Sequence, residues 1–357
     1  MNSSSSQGQT SGAAALDDFK IPLWNEVFDA RGVFGYKDNV LLSQTNALGS
    51  PFISAGGDMV IFRLPTSGWL FNLLASADYT RYFKGGSVDA EDAIAAAQLT
   101  RDYGDQWSSG FGVNYMYQHQ VLDLSSLATN GVGEVVGHTF TLRWFERKEF
   151  TSSWVELDVN GTRQLLAAPL DGFTQFGPKL VFGLRFGTNS DLTLSYQYNH
   201  LLFDSREQVT TQGASIAGTS LGFDNQVVEA AWHRDWGAKK RWRSWLTAGF
   251  EVNQDNGSGY FDYRLYRVTP KMEYRSGKWA VSAQCRFGYY EYPVETVSPA
   301  SSSLLDRIYA TLGLRAERQI SKAIKVFADY TFDGSFSNEP SLTYKADTFS
   351  AGLEWRF

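Results

Sequence analysis

The sequence predicts an all-β protein, a closed antiparallel transmembrane β-barrel of about sixteen strands. Three observations carry that expectation. Alternating apolar and polar residues recur in short segments along nearly all of the 357 residues. Short and long connections alternate between those segments, and tryptophans and tyrosines gather at opposite ends of them. No apolar run approaches the ~20 residues of a membrane helix, but alternating strands hide their hydrophobicity from such a count.

Composition excludes several other classes. Aromatic residues make up 15% of the chain, with 18 Tyr and 11 Trp, while mean hydropathy is only −0.29. A net charge of −6 with no basic run argues against a nucleic-acid partner. Cys285 stands alone, so no internal disulfide forms. Residues 1–26 read as a separate segment and 27–357 as the barrel. Met1–Ala15 is rich in Ser, Gly and Ala, as disordered segments are, and lacks the basic and apolar regions of a secretory leader. With a membrane barrel behind it, the expectation is a native leader removed and replaced, the alternatives being a misplaced start or a barrel outside the membrane.

Sixteen segments carry the strand pattern: 27–36, 52–63, 69–83, 92–102, 107–118, 134–146, 153–159, 173–186, 191–201, 222–236, 241–253, 261–274, 279–290, 304–316, 323–333 and 345–357. Fourteen strands is the alternative if the first and seventh pairings fail. In the sixth, Val136, His138, Phe140, Leu142 and Trp144 oppose Thr139, Thr141 and Arg143. The eighth sets Leu180, Phe182, Leu184 and Phe186 against Lys179, Gly183 and Arg185. In the last, Leu353, Trp355 and Phe357 share one face and Gly352, Glu354 and Arg356 the other. Tight connections such as Leu64–Gly68, Gly187–Ser190 and Arg275–Lys278 alternate with long ones such as 37–51, 119–133 and 202–221. Trp69, Trp107, Trp144, Trp154, Trp232, Trp236, Trp242, Trp245, Trp279 and Trp355 lie near the tight turns or the carboxy terminus. Most tyrosines, such as Tyr36, Tyr79, Tyr115, Tyr196, Tyr289 and Tyr330, lie at the long-loop end. Short turns are periplasmic and long loops extracellular in barrels of this kind.

The closing strand, ending in Phe357, resembles that of bacterial outer-membrane proteins, whose terminal Phe is read by the barrel-assembly machinery. The stretch Gly32-Val33-Phe34-Gly35-Tyr36-Lys37-Asp38-Asn39-Val40-Leu41-Leu42 resembles the first strand and loop of bacterial outer-membrane β-barrel porins. That group includes barrels associated with exopolysaccharide export. Lys37 stands where those sequences carry an acid. Asp78-Tyr79-Thr80-Arg81-Tyr82-Phe83 is similar to the same group. The resemblance implies transport in the outer membrane, with lipid, lipopolysaccharide and a hydrophilic solute or polysaccharide as partners.

Strand parity assigns an inner face rich in both charges. Basic residues there include Arg31, Arg63, Arg143, Lys179, Arg185, Arg243, Arg315 and Lys325, and acids include Glu229, Glu251, Glu273, Glu317 and Asp329. The candidate lumen and selectivity residues are Arg267, Lys271, Arg286 and Arg307, with Arg267 and Arg286 side by side near mid-height. The bland alternative is that these cations pair with the acids and brace the wall. Loop 202–221 is the candidate constriction, and Asp17–Phe28 is short enough only to lie across the periplasmic mouth. No cofactor, metal or enzymatic centre is expected: His119, His138, His200 and His233 show no metal-ligand spacing, and Ser244 has the wrong parity to serve His233. The functional expectation is therefore a channel, with a non-conducting anchor or assembly barrel as the alternative and a hydrolase behind both.

Overall fold

Sixteen strands close into one antiparallel barrel in the computed structural model, which describes residues 23–84, 89–124, 131–298 and 301–357. They are β1 (Trp24–Lys37), β2 (Ser50–Thr66), β3 (Trp69–Tyr82), β4 (Ala90–Gly104), β5 (Trp107–Asp123), β6 (Val132–Glu149), β7 (Ser153–Leu166) and β8 (Phe173–Phe186), followed by β9 (Ser190–Phe203), β10 (Gly222–Trp236), β11 (Trp242–Asp255), β12 (Tyr263–Ser276), β13 (Trp279–Thr296), β14 (Leu304–Gln319), β15 (Ile324–Ser337) and β16 (Tyr344–Arg356). Each strand pairs with the next, and β1 pairs with β16 from Asp29↔Arg356 to Lys37↔Thr348. At this seam Arg356 donates from Nε and Nη2 to the two Asp29 carboxylate oxygens at 2.8 and 3.0 Å. The Phe357 amide donates to the Phe28 carbonyl at 2.9 Å. Closure leaves no strand edge unpaired, which hydrocarbon requires because it offers backbone groups no water.

The expected strand count holds, while several boundaries move. β1 begins at Trp24, so Trp24–Phe28 belongs to the wall rather than lying across the mouth; residues 1–22 are outside the described residues. β7 runs to Leu166, seven residues past its expected end. Asn160-Gly161 looks like a hairpin turn in sequence, yet Gly161 pairs with Leu142 on one side and Phe176 on the other. The expected loop 119–133 shortens to 124–131, since β5 continues to Asp123 and β6 starts at Val132.

One rim carries connections of two to five residues: 67–68, 105–106, 150–152, 187–189, 237–241, 277–278 and 320–323. At 67–68 and 105–106 both central residues have positive φ, the paired left-handed conformation whose twist matches a hairpin. The opposite rim carries connections of six to eighteen residues, the longest being 204–221. The short turns are periplasmic and the long loops extracellular.

The outer face is the apolar one. Phe34 is 62% exposed, and Phe28, Leu142, Leu180, Val228, Leu314 and Leu353 are also exposed along their strands. In a soluble protein this would be an enormous hydrophobic patch; here lipid covers it. Buried clusters sit instead at the extracellular mouth, where loops fold inward: Phe173, Phe203, Leu221 and Phe223; Leu42, Tyr344 and Ala346; Tyr292, Leu305 and Leu342.

The tryptophans keep to the short-turn half, but not all face lipid. Trp24, Trp107, Trp144, Trp236, Trp242, Trp279 and Trp355 are exposed outside. Trp154 and Trp245 point inward: Trp154 lies over Gly183, where an added Cβ would come within 2.1 Å of its Nε1, and Trp245 stacks on His233 at 5.1 Å. Arg63 reverses the other way. Expected in the lumen, it pairs across the sheet with outward-facing Trp24 and its guanidinium lies 5.9 Å from that ring. Register along β2 runs unbroken from Phe52 to Arg63, so Arg63 shares the outer face with Ile53, Met59 and Ile61, and the lumen expectation for it is corrected.

Leu180 and Lys179 give a neighbouring pair with opposite surroundings. Replacing lipid-facing Leu180 by Lys is expected to cost about 2–4 kcal/mol near mid-membrane, whereas Lys179→Leu on the inner face should cost far less. Reversible urea unfolding from lipid vesicles measures both; equal costs would contradict the assigned faces.

Candidate functional site

Charge on the inner wall is mostly paired. Arg31 bonds Asp58 and Asp78, and Arg143 bonds Asp158 and Glu156, the latter at 2.9 Å. Glu149 takes Arg147 at 2.5 Å and Arg185 at 2.7 Å. Arg315 meets Asp329 and Glu317 at 2.9 Å, and Lys325 meets Glu354 at 2.8 Å. Neighbouring strands present these groups at the same height because opposite residues in register share a face. In a hydrated lumen such pairs brace the wall with little net field.

The four candidate selectivity residues divide accordingly. Arg267 is held by Glu229 at 3.1 Å and Glu251 at 3.5 Å, so it belongs to the bracing network. Lys271 faces the lumen with its ammonium 5.1 Å from the Trp245 ring. Arg286 faces the lumen and forms no ion pair with any carboxylate of the described residues. It is not directly opposite Arg267, whose register partner is Gly288, but lies one diagonal step away on the same face. Arg307 is inward-facing as expected, yet only 2% exposed, and its role is structural.

Arg307 anchors an arm that crosses the lumen. Pairing of β4 with β5 stops at Glu91↔His119, and pairing of β6 with β7 starts at Gly137↔Leu166. Between these points the ribbon from Gln120↔Val135 to Asp123↔Val132 pairs only with itself. It leaves the wall and reaches β14, on the opposite side of the ring from β5. There Arg307 Nη1 donates to Asp123 Oδ1 at 3.0 Å, Nη2 donates to Asp123 Oδ2, and Nε donates to Ser335 Oγ at 2.6 Å. Val121 and Val132 pack against Leu42, Tyr344 and Ala346. A fork-to-carboxylate pair inside an apolar seal is among the stronger polar contacts available.

Between this arm and the wall lies a cavity of about 440 Å³, lined among others by Lys37, Gln120, Arg286, Tyr290, Tyr309 and Asp333. Tyr309 lies flat because its neighbour is Gly288, where a Cβ would come within 1.9 Å of the ring. Tyr290 stacks beside Tyr292 and meets Tyr309 at 5.9 Å. These inner tyrosines escape a reading that assigns tyrosine to the outer girdle, although their parity within β13 and β14 is inward. Asp123 carried no signal at all, because its partner is 184 residues away.

Loop 204–221, the expected constriction, does not make the crossing. It is tied to the wall of its own side: the Ser205 and Arg206 amides donate to Asp171, and Gln208 donates to the Asn256 carbonyl. The Arg163 guanidinium holds the Asp204 carboxyl below the usual carboxylate range, and the Ser215 hydroxyl and Gly218 amide do the same for Glu207. The histidines lie apart. His138 faces outward and hydrogen-bonds the Tyr115 hydroxyl at 2.9 Å, while His233 sits between Asp191 at 2.9 Å and Asp235 at 3.2 Å.

A lipid-facing apolar exterior, a charged interior and closure without an edge define a bacterial outer-membrane β-barrel. No protein-family model matches the chain, and no curated protein matches it. Among solved structures it is similar to in-vitro folded OmpT, an outer membrane protein of Vibrio cholerae, at 12% identity and a TM-score of 0.50, covering 95% of this chain and 99% of that one. It also aligns with OccAB1 of Acinetobacter baumannii (8% identity, 94% and 96% covered, TM-score 0.48) and with a bacterial polysaccharide outer membrane secretin (9% identity, 93% and 98% covered, TM-score 0.46). At such identities the likeness is one of fold.

Asp123→Asn tests the arm. The change leaves buried Arg307 charged and without the Asp123 carboxylate, a loss of up to about 3 kcal/mol for a pair buried on one side only. The arm should release so that Arg307 regains water, raising single-channel conductance in planar bilayers. Unchanged conductance through a folded barrel would show that the arm does not limit passage.

Proposed function

We propose that this barrel is a channel for small hydrophilic solutes, with a preference for anions set at the constriction. The observation that supports this reading is Arg286: an inward-facing guanidinium without an ion pair among the described residues, beside the crossing arm, on a wall where most other cations are neutralised by carboxylates. Lys271, held by an indole rather than by an acid, adds a second positive site below it. A Debye length of ~8–10 Å is comparable with the width of a constricted pore, so such charges act on a passing ion before salt screens them. Paired Arg267 and buried Arg307 contribute shape and stability instead.

The arm also bears on solute size. With Asp123 bonded to Arg307, the opening is divided, which suits monomeric or short solutes; passage of a polysaccharide chain would require the arm to swing away. Passage needs no catalytic step and no cofactor. Terminal Phe357 is 71% exposed beside Trp355, accessible to an assembly machinery that recognises a carboxy-terminal aromatic.

Arg286→Gln should shift the reversal potential in a salt gradient toward cations. One unit charge at ~4 Å in water amounts to about 1 kcal/mol, so the anion-to-cation permeability ratio should fall by up to about fivefold. Arg318→Gln, a change on the outer face, should leave it unmoved. A folded barrel that passes no current would favour the anchoring role, and an open one with unaltered selectivity in Arg286→Gln would remove this residue from the filter.

A further inference from the structure

Outside the barrel, cations are treated differently from those within. Five of them lie on the short-turn rim, each against an aromatic ring: Arg63 over Trp24 at 5.9 Å, Arg101 over Trp69 at 5.0 Å, Lys148 over Trp107 at 5.0 Å, Arg234 over Trp236 at 4.2 Å and Arg318 over Trp279 at 5.3 Å. All five pairs have outward parity and sit within about four residues of a tight turn, so they fall at one height. They are spread around the ring, on β1–β2, β3–β4, β5–β6, β10 and β13–β14. Arg101, Lys148, Arg234 and Arg318 form no ion pair with a carboxylate of the described residues, and Lys148 bonds only the Asp105 backbone carbonyl, at 2.7 Å.

The extracellular rim has the opposite character. There outward-facing tyrosines donate to carboxylates: Tyr117 to Glu91 at 3.4 Å, Tyr198 to Asp224 at 2.5 Å and Tyr330 to Asp347 at 2.6 Å. Outward cations at that rim are held otherwise, Arg163 by Asp204 at 2.6 Å, Arg264 by Glu291 at 3.6 Å and Lys345 over Phe336 at 5.4 Å, so among the described residues cations resting on indoles face outward at the short-turn rim alone.

We propose that this periplasmic belt binds the phosphates of anionic phospholipids in the inner leaflet of the outer membrane. Indoles settle at headgroup depth, where one end of the ring system is wet and the other apolar. A cation resting on the ring face is held at that depth by the ring quadrupole. The N–H donors of Arg101, Lys148, Arg234 and Arg318 remain unclaimed by a carboxylate of the described residues and meet the plane of lipid phosphates, to which guanidinium offers a fork of matching geometry. Neutral pairs of the kind found in the lumen would have satisfied the same cations without lipid. The belt selects phosphatidylglycerol or another anionic glycerophospholipid over a zwitterionic one, and it does so whether or not the pore conducts.

Brominated lipids test this directly, since bromine quenches indole fluorescence only on contact. Wild-type protein is reconstituted in phosphatidylcholine vesicles containing either brominated phosphatidylglycerol or brominated phosphatidylcholine at equal mole fraction. Quenching by the anionic lipid should correspond to about fivefold enrichment at the belt and should fall in high salt. In R101Q/K148Q/R234Q/R318Q, which keeps every tryptophan, the excess should vanish. Should that variant not fold, the salt dependence and the lipid preference of wild type still decide. Equal quenching by the two lipids in wild type, or an excess that survives in the folded variant, overturns the proposal.

Discussion

Every feature of this molecule follows from one constraint: within hydrocarbon a backbone amide or carbonyl has no water to bond, so the strand ladder must close on itself. The seam between β1 and β16 meets that constraint with nine register pairs and the terminal Phe357 amide bonded to Phe28. Once the ring is closed, each strand has an inside and an outside. A shift of a single residue would turn lysines to lipid and leucines to water, so closure and alternation specify register together. The Arg356–Asp29 fork lies inside the seam, where it adds orientation while the backbone ladder supplies the cohesion.

The two faces then obey different electrostatics. Inside, water and neighbouring strands allow carboxylates beside nearly every guanidinium, as around Glu149 and Arg315. Outside, a cation is tolerated only near an interface, and at the short-turn rim the structure supplies indoles in place of acids. The same residue type therefore braces the wall when it points inward and addresses the membrane surface when it points outward. Arg63 and Arg31 illustrate the contrast from adjacent strands.

A wide ring would leave an open pore, and a local departure from the wall narrows it. The β5–β6 ribbon outruns its neighbours, loses their hydrogen bonds and recovers contact on the far side through Asp123, Val121 and Val132. Burial of Arg307 behind this contact makes the crossing specific, because a charge so far from water must keep its partner. Arg286, next to the same cavity, is left with an exposed field toward the lumen.

Parity within single strands was legible without any coordinates. Alternation along β6, β8 and β16, the short turns and the tryptophan bias are local patterns, each written in a dozen consecutive residues, so the barrel, its strand number and its lipid face could be read from them. Arg267, Lys271, Arg286 and Arg307 were likewise placed on the inner face by parity. Which of these cations is free could not be read, because Glu229, Glu251 and Asp123 reach them from other strands. Asn160-Gly161 shows the same limit in reverse: a dipeptide with turn character stays extended because β6 and β8 hold it on both sides. Sequence alone determined the direction of most wall side chains, Arg63 excepted, since a strand has a period of two; tertiary structure decided their partners, since register and the crossing arm join residues as much as 184 positions apart.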